Sequence, residues 1–204
     1  MIEIADNISK AEISQLPPVL FGGRVIVIHS LSDVEKAVNY LKGFPILGFD
    51  TETRPSFSRG KMYDVSLMQV STDDTCFLFR LNYIGMPDSL INLLQSRQLK
   101  VGLSLKDDIH SLHRKYSFEP QGFLDLQAYV KDMGIEAQSL QKIYALLFGQ
   151  KISKSQRLTN WEADVLTDRQ KTYAATDAWA CIRIYKYLEE LKSKDNYRVI
   201  ELNK

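Results

Sequence analysis

Apolar residues recur along the chain with two different periods, and the changes of period mark out its elements. "RVIVIHS" (24–30) is β-branched and predicts a strand. In "SLSDVEKAVNYLKGF" the positions Leu31, Val34, Ala37, Val38 and Leu41 fall at helical spacing, with Gly43 as a stop signal. "PILGFDTE" (45–52) predicts a largely buried strand, and "DVSLMQVST" and "TCFLFRL", on either side of "TDD", predict an antiparallel hairpin. A helix is expected from Pro87 to about Ser96, then a short strand in "LKVGLS", a helix over 105–116 and two more within 125–134 and 139–148. Residues 149–160 are polar and basic and read as a loop, and a long helix fills 168–193. Residues 1–22 contain at most a short helix ending near Pro17–Pro18. Strands come first and helices dominate later. That order predicts an α/β fold, a mixed five- to six-stranded sheet with helices packed on it. One domain is expected over 1–204, with 1–22 an N-terminal extension and 195–204 a C-terminal tail.

Composition narrows the class without choosing a partner. An apolar content of 45% in 204 residues is ample for a core and excludes a disordered chain. The 26 basic and 25 acidic residues nearly cancel, so a polyanion would be held by a local patch or by metal, not by overall field. Cys76 and Cys181 are far apart and form no CxxC pair, which argues against a disulfide framework or thiolate zinc site and for a reduced, cytoplasmic location. The N-terminal "MIEIADNISKAEIS" lacks the features of a secretory signal, and no run of about 18 apolar residues suggests a membrane span.

The candidate chemistry lies in acids at unusual places. Asp50 and Glu52 close the apolar strand and, being i and i+2, project to one face, with Thr51 facing away. Alone, the pair fits a strand leaving the core for a solvated turn before Pro55 as well as it fits half of a cradle for a hard cation. In the long helix, "TDRQ" forms a capping box with Thr167 as N-cap and Gln170 three residues on. Its inward stripe runs Tyr173, Asp177, Ala180, Cys181, Ile184, Leu188, Leu191, so an aspartate lies among apolar residues. A buried carboxylate must meet a cation or good donors, or take up a proton. Tyr173 stands one turn earlier and reaches the same spot.

In "GLSLKDDIHSLHRKY" (102–116), Ser104 and Asp107 fit S-x-x-D, giving Asp107 the role of a helix-start acid. Asp108 borders the inward stripe of Leu105, Ile109, Leu112 and Tyr116 and is the better ligand candidate, while His110 and His113 read as surface residues. Asp50, Glu52, Asp108 and Asp177 are therefore expected to converge. Two carboxylates ~4 Å apart repel by ~4 kcal/mol at an effective dielectric of 20, which bound divalent cations would relieve.

These segments resemble the 3′–5′ exonuclease domain of the DEDD superfamily, in its tyrosine-containing subclass (Werner-type and ribonuclease D-like), which has a ribonuclease H-like fold. "FDTET", "VGLSLKDDIHSL" and "LTDRQKTYAATDAWACIRIY" match the three family motifs, and the likeness runs from about residue 25 to 192, including "NWE" (160–162). The resemblance implies that Asp50, Glu52, Asp108 and Asp177 bind two divalent metal ions, Mg²⁺ or Mn²⁺, and that Tyr173 completes the catalytic set. It implies release of nucleoside 5′-monophosphates from a 3′ end of nucleic acid, with DNA favoured and RNA the alternative. With a reference pKa of ~10, the phenol of Tyr173 suits orienting the attacking water rather than acting as base. Thr51, Lys151, Lys154 and Arg157 are the candidate nucleic-acid contacts, and Trp161 reads as core. A haloacid-dehalogenase-type phosphatase fails at Glu52 and Arg54, where its motif wants D-x-D-x-T or V. A non-catalytic binding module is the rival from another class, and the intact five-residue set argues against it.

Overall fold

A computed structural model describes residues 1–201 of the chain. Strand β1 (Ile2–Ala5) and helix α1 (Lys10–Gln15) precede β2 (Arg24–Ile28), α2 (Leu31–Leu41) and β3 (Ile46–Thr53). The hairpin β4 (Val65–Ser71) and β5 (Thr75–Arg80) follows, then the short helices α3 (Leu81–Ile84) and α4 (Asp88–Leu94). Next come β6 (Leu99–Gly102), α5 (Leu105–His113), β7 (Phe123–Asp125), α6 (Leu126–Asp132) and α7 (Leu140–Phe148). The chain then runs through α8 (Asp168–Ser193) into β8 (Tyr197–Ile200). No helix among the described residues is long and apolar enough to cross a membrane.

The main sheet has six strands in the order β2-β5-β4-β3-β6-β7. Strand β4 runs antiparallel to β3 and β5, whereas β3, β6 and β7 are mutually parallel and β2 is parallel to β5. This is the mixed α/β sheet expected from the pattern. Alternation along the strands divides the core. Phe49, Met68, Val70, Phe77 and Phe79 face α2, α4 and α5, packing with Val38, Leu41, Leu90, Leu94, Leu105 and Leu112. Leu67, Cys76 and Leu78 face the other way, against Ala174, Ala175 and Ala178 of α8. Each such fully buried large apolar side chain contributes roughly 1.5–3 kcal/mol.

Helix α8 lies on β3 almost without spacing. A Cβ placed on Gly48 would stand 1.9 Å from the carbonyl oxygen of Ala178, so only a glycine permits this strand backbone to meet that helix backbone. The capping box of Thr167 and Gln170 starts α8 where the sequence placed it. The N-terminal segment straps the outside of the same helix, with the Phe21 N–H donating to Thr176 Oγ1 at 3.0 Å.

Strand β6 is short. It pairs with β3 only at Ile46–Gly48, so the half of β3 that carries the acids keeps β4 on one side and has a free edge on the other. Beyond Gly102 the chain turns through Ser104, in the left-handed region at φ 61, into α5. The S-x-x-D reading of this start is corrected here: Ser104 makes no side-chain cap. The carboxylate of Asp125, at the end of β7, accepts from the N–H groups of Ser104 (3.2 Å) and Leu105 (2.8 Å), and from Gln127 N–H (2.9 Å) at the start of α6. One aspartate thus satisfies orphan amides at the beginnings of two helices.

Four elements went unread. β7 is only three residues long, α3 is a single turn, and β1 and β8 pair in parallel as a separate two-stranded sheet. The tail expected over 195–204 therefore contains a strand at 197–200, and its last three residues lie outside the described chain.

The Gly48–Ala178 contact gives a stability prediction. Gly48→Ala is expected to lower unfolding free energy by about 1–3 kcal/mol, as overpacking does, whereas Gly22→Ala, with nothing within 4 Å, stays within about 0.5 kcal/mol. Urea denaturation of both variants measures the difference.

Candidate active site

The end of β3, one turn of α8 and the first turn of α5 supply the candidate groups. Asp50 and Glu52 point to the face covered by α8, as their i, i+2 spacing requires, and Asp177 comes down from that helix. One oxygen from each of these three carboxylates lies within 4.8 Å of the others. Ionised pairs at that separation repel by roughly 3–4 kcal/mol at an effective dielectric near 20. Asp177 is 9% exposed, and its Oδ1 has no hydrogen-bond partner within the protein. Among the described residues no guanidinium forms an ion pair with it.

The cost of this crowding appears as upward pKa shifts. Burial, and then the Asp177 charge, hold Asp50 well above its ordinary range, against the backbone N–H of Thr51. Burial pushes Glu52 up to about 10, with Asp50, Asp177 and Asp108 adding to it and Arg157 opposing. Asp177 rises to about 7 through burial, restrained by the Tyr173 hydroxyl and by Lys154. The same burial and the same three acids drive the Tyr173 phenol upward, so it remains a proton-bearing hydrogen-bond donor.

Asp108 does not join the tight cluster, which corrects the expectation of four acids in one spot. It approaches over the free edge of β3 from the opposite face of the sheet, where the Thr51 hydroxyl donates to its Oδ1. It remains in electrostatic reach. Burial and the charge of Asp50 raise it to about 8, while the Thr51 bond lowers it.

The basic loop divides. Lys154 and Arg157 line a cavity of about 400 Å³ with Ser104, Tyr173 and Asp177, and its far wall carries Gln127, Gln138 and Gln141. Lys151 is spent elsewhere: its ammonium donates to Ser14 O, and its backbone bridges Pro18. Thr51 is likewise engaged, with Asp108. Trp161 is fully buried, packing 6.0 Å from Tyr173 between ring centroids, and His110 and His113 are exposed. Arg54, two residues past Glu52, pairs with Glu162 of "NWE" at 3.1 Å and ties the strand end to that loop.

Sequence reasoning passed over Asp125 and the glutamines of the cavity wall. Asp125 had a signal, since an aspartate before the apolar run "LQAYV" is an N-cap pattern. The glutamines had none, because their role depends on which loops face the groove.

The donor set is hard oxygen, crowded, and partly unpartnered, so it fits a hard divalent cation such as Mg²⁺ or Mn²⁺. Asp50, Glu52 and Asp177 are the residues able to hold one directly, with Asp108 beside them.

A family model described as 3′–5′ exonuclease matches residues 25–192. A 3′–5′ exonuclease of Arabidopsis thaliana is 30% identical over 201 residues, covering 90% of this chain and 70% of that protein. The mouse bifunctional 3′–5′ exonuclease/ATP-dependent helicase WRN is 31% identical over 200 residues, and DNA polymerase I of Aquifex aeolicus is 31% identical over 158. These alignments cover 93% and 78% of this chain but only 14% and 26% of those longer proteins. Among solved structures, the Aedes aegypti Nibbler EXO domain superposes with a TM-score of 0.76 at 22% identity, over 85% of this chain and 91% of that one. The fold is accordingly the ribonuclease H-like exonuclease fold, and the chain belongs to the 3′–5′ exonuclease family of the DEDD superfamily, hydrolases of phosphodiester bonds.

Proposed function

We propose that this chain removes nucleotides one at a time from the 3′ end of DNA, releasing nucleoside 5′-monophosphates with the help of two divalent cations. The observation that carries the reading is the meeting of Asp50, Glu52 and Asp177 within 4.8 Å, with one buried carboxylate oxygen left unpartnered. With Asp108 adjacent, the site holds four carboxyl groups, whose full ionisation two divalent cations balance. Bound there, such cations would supply Lewis-acid charge at the phosphate and make water a better nucleophile.

The remaining work falls to the chain's own groups. Asp50, Glu52, Asp177 and Asp108 hold the charge in place. Tyr173, kept protonated by burial and by its acidic neighbours, donates a hydrogen bond that orients the attacking water. Lys154 and Arg157, on the cavity wall, meet the phosphates of the terminal nucleotides. Thr51 acts through Asp108, whose orientation it sets, and Lys151 is withdrawn from the contact set. The main sheet and its strapping N-terminal segment support reading residues 1–204 as one exonuclease domain. The two free, buried cysteines support a reduced, cytoplasmic setting.

DNA is favoured because a relative of 31% identity is a DNA polymerase. RNA is the second reading, favoured by the Gln138 amide and by the side-chain carbonyls of Gln127 and Gln141, whose N–H groups donate to Gln138 O and Ile152 O and leave their oxygens to accept from a ribose 2′-hydroxyl. Matched 5′-labelled DNA and RNA strands, incubated side by side with Mg²⁺ or Mn²⁺, separate the two. A descending ladder on DNA that EDTA abolishes is the expected result, and no ladder on either strand would sink the exonuclease reading.

Asp177→Asn is expected to lower turnover by about 100-fold or more while the protein stays folded, as removal of a central electrostatic group does. Circular dichroism and a single-turnover assay check the two halves. Tyr173→Phe is expected to slow hydrolysis by about 10- to 100-fold in a single-turnover assay at saturating metal, while circular dichroism shows the fold intact.

The pH dependence has a definite sign. Glu52, Asp108 and Asp177 have folded pKa values of about 10, 8 and 7, all above their reference values of 4.5, 3.8 and 3.8. In metal-free protein their protonated forms favour the folded state, fully so below about pH 4, and this contribution is lost as pH rises through 7 to 10. Metal-free Tm should therefore fall across that window, and the rise in Tm caused by Mn²⁺ should be larger at pH 8.5 than at pH 6. Differential scanning fluorimetry measures both.

A further inference from the structure

Gln69 is the least explained polar residue of the sheet. It lies in the middle of β4, is 0% exposed, and neither its Oε1 nor its Nε2 has a hydrogen-bond partner. Buried amides are nearly always paired, and leaving one unpaired costs its full desolvation. Its strand register names the neighbour. Gln69 stands directly opposite Asp50 on β3, and directly opposite Leu78 on β5. Opposed residues of antiparallel strands point to the same face, with Cβ atoms about 4.5–5.5 Å apart. On that face the layer above is made of Ala174, Ala175 and Ala178, which offer an amide no side-chain hydrogen bond.

We propose that Gln69 is a positioning residue for Asp50 in the metal-loaded protein: its amide, unpartnered without the cation, then donates to one oxygen of that carboxylate and turns the other toward the cation site. The assignment rests on the metal-dependent reading above. A carboxylate held at one oxygen presents the other in a fixed direction, and such supporting donors commonly alter metal affinity or activity by about 10- to 100-fold. Leu78, on the far side, has nothing to offer the amide. Trp161 Nε1, another unpartnered group of this layer, is a donor only and competes with the amide for acceptors rather than supplying one to its N–H. Asp50 is the acceptor that the register puts directly opposite, with Glu52 one diagonal step farther.

The test uses Gln69→Leu and Gln69→Met, which keep volume and remove the amide, with Leu78→Met as a packing control on the same face. Mn²⁺ binding is followed by electron paramagnetic resonance, and stability by urea denaturation of metal-free protein. Both Gln69 variants are expected to bind Mn²⁺ about 10- to 100-fold more weakly, with metal-free stability equal to or above wild type, because an unpaired buried amide has been replaced by an apolar group. The control should bind as wild type does. Unchanged Mn²⁺ affinity in the Gln69 variants, or weakened affinity that tracks a matching loss of stability in all three proteins, would make Gln69 a core residue and overturn the proposal. The exonuclease reading is judged separately, by Mn²⁺ binding to wild type and by the DNA ladder.

Discussion

The backbone contact between Gly48 and Ala178 is the constraint on which the site depends. A strand and a helix normally meet through side chains, which set their separation. Here the strand residue has no side chain and the helix residue has only a methyl, so the two main chains come into direct contact. Two residues past Gly48 is Asp50, and one residue before Ala178 is Asp177. Removing the spacer from the packed layer brings those two carboxylates together. Ala178 at the contact and Ala174 and Ala175 before it do for the helix what the glycine does for the strand.

Such closeness works against folding, and the magnitudes show why the fold tolerates it. Each ionised pair in the cluster opposes the folded state by roughly 3–4 kcal/mol. The protein avoids most of this in metal-free form by keeping protons, as the upward shifts of all four acids record. The apolar layers on both faces of the sheet, anchored by Phe49, Met68 and Leu67 on neighbouring strands, hold the frame regardless. The carboxyl-bearing end of β3 is thus a stiff element on which unfavourable charges are mounted, not an element that those charges stabilise. That is the condition for a pre-formed cation site.

Much of this was legible in the chain, for reasons that differ from residue to residue. The D-x-E spacing fixed a shared face for Asp50 and Glu52 because strand periodicity is two. Asp177 stood out because it broke an apolar stripe that otherwise repeats for about five turns of helix. Asp108 was separable from Asp107 by its side of the helical wheel. What the pattern could not carry was distance between elements. The separation of Asp108 from the other three acids arises from the early stop of β6, which lets α5 approach from the opposite face, and no local spacing encodes that. Strands β1 and β8 escaped for the same reason: they pair across nearly the whole chain, and four residues each is too few to show a period. Lys151 belonged by composition to the basic loop, but a carbonyl at the end of α1 claimed it.

The four acids are therefore held with unequal firmness. Asp50 and Glu52 are part of a paired strand, and Asp177 is fixed by a helix whose backbone rests on that strand, so none can shift without moving the core. Asp108 rides on α5, whose first turn depends on the Asp125 carboxylate and whose acid depends on one hydroxyl, that of Thr51. Both supports are single hydrogen-bonding groups at an open strand edge. Three acids of the set are thus mounted on the packed sheet and helix, and the fourth on a helix start held by two side chains.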